Sequence, residues 1–94
     1  MIEVREAVDT AQRYVHDLFP AEAEDIRLEE VELAQGDSGP EWQVTLSFYR
    51  RGDATPGGLV GQLVGPSVRR HYKTFIINAG DRQVRAMKIR QVQP

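Results

Sequence analysis

Catalysis and metal binding need particular side chains at particular spacings, and this 94-residue chain offers few of them. His16 and His71 have no second histidine or carboxylate at a ligand spacing such as HxxxH, so no metal site is expected. Ser38, Ser47 and Ser67 lie in no nucleophile-elbow sequence, and a serine hydroxyl without an adjacent base is inert. Glu29, Glu30 and Glu32 offer carboxylates, but acid–base work requires a pocket that shifts one pKa, and so small a domain seldom encloses one. They read as a solvated strand edge. Gly57, Gly58, Gly61 and Gly65 lack the lysine and the following Ser or Thr of a phosphate-binding loop and lead into no evident helix. Arg51-Gly52-Asp53 matches the integrin-binding tripeptide, in a chain that carries no extracellular mark. The expectation is a non-enzymatic protein with no cofactor, no metal and no small-molecule ligand.

A binding surface has more support. Arg69, Arg70, His71, Lys73, Arg82, Arg85, Lys88 and Arg90 fall in the last third of the chain, interleaved with Tyr72 and Phe75. Arginines and aromatics on a sheet face can hold single-stranded nucleic acid through phosphate attraction and base stacking. Alternation along a strand would split these charges between two faces, however, and the whole chain is acidic, with a net charge of -2. Nucleic-acid binding is therefore a lesser alternative. The net charge conceals a division: residues 1–41 hold twelve Asp or Glu against three Arg, and residues 42–94 hold nine Lys or Arg against two Asp. The plainest expectation is that these opposite halves meet across neighbouring strands.

The chain has no cysteine, hence no disulfide framework and no thiolate metal site, which favours a cytoplasmic setting. The N-terminus is acidic and amphipathic rather than signal-like, and no stretch approaches the length of a membrane span. At 28% charged and 40% hydrophobic residues, the composition suits one globular domain over residues 1–94.

The elements that must carry these side chains follow from periodicity. Val4, Ala7, Val8, Ala11, Val15 and Leu18 recur at three- and four-residue steps and predict a helix over 3–19, ended by Pro20. After an acidic linker over 21–25, residues 26–33 read as a strand whose apolar parity breaks between Ile26/Leu28 and Val31/Leu33, predicting a bulge near Glu29 and Glu30. Residues 35–40 are turn formers. Trp42, Val44, Leu46 and Phe48 then alternate with polar residues, predicting a strand with one buried and one mostly wet face. Residues 51–67, rich in glycine and proline, read as a long flexible hairpin loop. Third and fourth strands are expected over 68–77 and 83–92, joined by a turn around Gly80. The last strand breaks parity between Val84/Ala86 and Met87/Ile89, predicting a second bulge. In the third strand Phe75 and Ile77 compete with Tyr72 and Ile76 for the core, and the first pair is expected inside.

Trp42, Val44 and Leu46 after the acidic strand, followed by Phe75, Ile77, Gly80 and Val84, give an order of elements that resembles small bacterial PepSY-like domains, which belong among cystatin-like folds. The resemblance implies an α+β architecture, one N-terminal helix packed on a four-stranded antiparallel sheet, and a module that regulates or inhibits a peptidase. Gln62-Leu63-Val64-Gly65 resembles the protease-gripping QxVxG hairpin of cystatins, but one residue short, in the second inter-strand loop rather than the first, and without the companion Pro-Trp pair.

Read together, these features predict a protein-interaction module, binding a protein partner or a second copy as a homodimer. Its surface would be the outer sheet face around Tyr49, Tyr72 and Ile76, with Arg70, Arg85 and Lys88 alongside.

Overall fold

The computed structural model describes residues 1–51 and 70–91. One helix, α1 (Val4–Leu18), packs on a four-stranded antiparallel sheet of β1 (Ala23–Gly36), β2 (Gly39–Arg50), β3 (His71–Asn78) and β4 (Val84–Ile89), in the spatial order β1-β2-β3-β4. This is the expected α+β architecture. Apart from Arg51, the loop expected over 51–67, with its glycines, Gln62–Gly65, Ser67 and the Gly52-Asp53 part of the tripeptide, lies outside the described residues, as does Arg69.

The helix sits close to the sheet because its inner face is built from small residues. Ala7, Ala11 and Val15 are fully buried against Val44, Leu46, Phe48, Phe75 and Ile77, with Val8 and Phe19 at the margin. Val4 and Leu18, expected in the same stripe, are exposed at the two ends of the helix. Phe75 and Ile77 do take the core side of β3. At the C-terminus, the Phe19 carbonyl accepts from Glu22 N (3.1 Å) and Ala23 N (3.3 Å), while Ala21 adopts a left-handed φ of 59°. A tight reversal thus follows Pro20 and delivers the chain straight into β1. Residues 23–25, the end of the expected acidic linker, are the first residues of that strand.

Both parity breaks are bulges. In β1 the pairing jumps between Leu28/Leu46 and Glu30/Thr45, leaving Glu29 unpaired and returning Leu28, Val31 and Leu33 to the helix side opposite Leu46, Val44 and Trp42. A second irregularity falls between Glu24 and Arg27, where Asp25 has φ 53°. In β4 the skipped residue is Arg85: Val84 pairs with Ile77 and Ala86 with Ile76. Ala86 therefore lies on the outer face, not beside Val84 as its apolar character suggested, while Met87 and Ile89, paired with Phe75 and Lys73, face the helix side.

The connection expected over 35–40 is much tighter. Gly36 pairs with Gly39, leaving Asp37 and Ser38 as a two-residue turn, with Gly39 at φ 105° where a side chain would be strained. Between β3 and β4, the side chain of Asn78 accepts from Gly80 N (2.8 Å) and Asp81 N (3.0 Å), organising the expected turn.

Candidate interaction surface

Alternation from β2 outward defines the face away from the helix: Thr45, Ser47 and Tyr49 of β2, Tyr72, Thr74 and Ile76 of β3, and Ala86 and Lys88 of β4. Tyr49, Tyr72 and Ile76 lie on this face, as expected, but each is only partly exposed. The centre of the face is not wet. Ser47 is fully buried and Thr45 is 3% exposed, because long side chains from neighbouring segments lie over these two small residues.

Arg70 covers Ser47. Its Nε donates to Ser47 Oγ (2.8 Å), one terminal nitrogen donates to Asp25 Oδ2 (2.9 Å), and the other donates to the carbonyls of Ser47 (2.9 Å) and Asp25. Its guanidinium also lies 4.5 Å above the centre of the Tyr49 ring, a cation–π contact. The Arg70 hydrogen bond, outweighing the cost of desolvation, and the nearby Arg27 hold the Asp25 carboxyl below its ordinary pKa of 3.8. Burial works against the charge of Arg70, but its contacts with Tyr49 and Asp25 more than offset this and raise its pKa. Arg90 covers Thr45. It stretches across the sheet to Thr45 Oγ1 (3.3 Å) and Glu30 Oε2 (2.9 Å), while Thr45 and Thr74 share a hydrogen bond of 2.8 Å.

The other expected site residues separate. Arg85, in the β4 bulge, pairs with Asp81 (2.6 Å) at the sheet end, away from Arg70 and Tyr49. Lys88 lies on the outer face at the free edge of β4 with no carboxylate partner among the described residues. Lys73 and His71 point to the helix side, where His71 stacks on Phe48 at 6.0 Å. Of the ion pairs among the described residues, five join the acidic and basic halves: Arg50–Glu22, Arg51–Glu24, Arg70–Asp25, Arg82–Glu6 and Arg90–Glu30. Part of the charge division is thus taken up within the fold, and Arg70, Arg82, Arg85 and Arg90 of the basic set are engaged by carboxylates rather than free for phosphates.

Ser47 does have a neighbouring carboxylate that sequence spacing did not reveal: its Oγ donates to Glu29 Oε2 at 2.6 Å, across the β1 bulge. With Ser47 fully buried, no substrate carbonyl can approach that oxygen, so the pair is a structural contact. Among the described residues no three metal-ligating side chains converge, and no helix is long and apolar enough to cross a membrane.

The exposed large apolar side chains lie elsewhere. On the helix side, α1 packs on β1, β2 and β3 but leaves β4 largely uncovered. Ile89 is 77% exposed and Met87 37%, on a strand that pairs on one side only among the described residues. On the opposite edge, Leu28 (47%) and Leu33 (46%) are similarly open. The sequence signal for this surface was present in the parity break of β4, which sends Met87 and Ile89 to the helix side. What it lacked was the reach of the helix.

Comparison with family models, with curated proteins and with solved structures finds no match.

Proposed function

We propose that this domain is a non-enzymatic protein-interaction module whose binding surface is the free β4 edge and the apolar side chains beside it. The observation that carries this reading is Ile89, an isoleucine 77% exposed on a strand whose outer edge has no neighbour among the described residues. Proteins ordinarily protect such edges with charge, bulges or cover, because unpaired backbone groups flanked by apolar side chains recruit another strand. Here the bulge at Arg85 protects the start of β4, and the run from Ala86 to Ile89 remains regular and open. Of the residues expected at the interface, Lys88 belongs to this surface, whereas Tyr49 and Arg70 are engaged with each other and hold the sheet together. A cytoplasmic setting fits a cysteine-free chain.

The test is capture of a partner from the cells that make the protein, using the full chain as bait. Unlabelled wild type should compete the partner away, and Met87→Ser with Ile89→Ser should not. A partner released equally by both, or recovery of none together with a strictly monomeric protein, would contradict the reading.

A further inference from the structure

The two open edges of the sheet match each other, and we infer that β4 pairs with β1 of a second copy. This deepens the interaction reading above and rests on it. Each strand is antiparallel to its neighbour, so with four strands β1 and β4 run in opposite directions. A second copy translated along the sheet therefore brings its β1 antiparallel to β4, and the sheet continues without interruption.

Hydrogen-bond phase fixes which backbone groups are available. Arg90 N donates to Tyr72 O (2.9 Å), so Arg90, Lys88 and Ala86 direct their backbone groups toward β3, and those of Met87 and Ile89 face outward. At the other edge, Ala79 N donates to Pro40 O (3.0 Å), which aims the even residues of β2 at β3 and the odd ones at β1. Gln43 and Glu41 therefore bond Glu32 and Ala34, and the backbone groups of Val31 and Leu33 face outward.

One register satisfies every requirement at once. Placing Met87 opposite Leu33 of the next copy puts Ile89 opposite Val31 and Lys88 opposite Glu32. The first two pairs exchange outward-facing backbone hydrogen bonds and bring the exposed Met87 and Ile89 against the exposed Leu33 and the half-buried Val31 on the helix side. The third sets opposite charges, neither of which has a partner within its own chain among the described residues, at the close non-hydrogen-bonded position on the outer face. Both stretches are free of bulges: Glu30–Gly36 lies beyond the β1 irregularities and Ala86–Ile89 beyond that of β4. Pairing β4 with β4 of a second copy fits worse. It sets Lys88 against Lys88 in one register, runs Ile89 into the bulged Arg85 in a second and sets Lys88 against Arg90 in a third.

Because the contact is head-to-tail, association is not limited to two copies. Sedimentation equilibrium of the full chain at low salt should show a weight-average mass that climbs past the dimer with concentration. Lys88→Glu or Glu32→Lys should each weaken association roughly three- to tenfold, and the double variant should recover most of the loss. Ile89→Pro, which removes an outward N–H and leaves the ladder to β3 intact, should abolish association without changing the near-UV spectrum of Trp42. A monomer at every concentration overturns the pairing, as does a dimer that grows no further or is strengthened by Lys88→Glu. In those cases competition by the Met87/Ile89 variant in the capture experiment still decides the broader reading separately.

Discussion

Ser47 and Thr45 occupy the polar phase of an alternating strand, a position that ordinarily meets water. Here Arg70 and Arg90 lie over them, and the reason is volume: small hydroxyl side chains leave a depression that a planar guanidinium can fill while bonding to the hydroxyls at its floor. Arg70 also satisfies two main-chain carbonyls, those of Ser47 and Asp25, so replacing it leaves several acceptors without a donor. Arg70→Met should cost about 1–3 kcal/mol in urea unfolding, and Arg70→Lys should recover only part of it, since one ammonium cannot reach all four acceptors. A loss below a few tenths of a kcal/mol would show the acceptors to be satisfied by water. Asp25 adds a pH dependence. Its folded-state pKa lies below 3.8, so its contribution is present above that value and is lost as pH falls through the lowered one. Asp25→Asn should accordingly flatten the fall of the urea midpoint below about pH 4. None of this was legible in the sequence, because Arg70 and Asp25 are 45 residues apart and no local spacing links them.

At the scale of elements, alternation in β2 and the parity breaks of β1 and β4 carried most of the fold. An apolar set that changes parity within one strand must either expose half its members or bulge, and both strands bulge. The boundaries were harder to read. Gln35 and Pro40 look like parts of a loop by composition, yet the glycines at 36 and 39 allow a two-residue turn that keeps both neighbours paired. Residues 23–25 look like linker because the partners that neutralise Glu24 and Asp25, Arg51 and Arg70, come from distant parts of the chain. The reversal between α1 and β1 carries a testable strain. Ala21 holds φ 59°, a conformation costly for any residue with a Cβ. Ala21→Gly should stabilise the protein by about 0.5–1 kcal/mol, the reverse of the usual penalty for introducing glycine. A destabilising result would mean that the turn relaxes to an ordinary conformation in solution.

Across the whole molecule, the separation of charge along the chain becomes pairing across the sheet, because an antiparallel order brings the acidic first strand beside residues from the basic half. Exposed pairs of this kind contribute little stability individually. Among the described residues they leave Lys88 and Glu32 without a carboxylate or cationic partner, charges of opposite sign on opposite edges of one sheet, Lys88 beside the exposed Met87 and Ile89 and Glu32 beside the exposed Leu33. The sequence displayed the charges and the apolar residues but not which lay at an edge, since strand order is set by the fold as a whole. The central claim, that the β4 edge is an open binding strand, is tested most directly by amide hydrogen exchange followed residue by residue as protein concentration rises. In dilute solution the Ala86 and Lys88 amides should be protected by β3, with those of Met87 and Ile89 exchanging freely. At high concentration Met87 and Ile89 should gain protection together with Val31 and Leu33. Free exchange at Met87 and Ile89 at every concentration, and with a captured partner bound, would contradict the account.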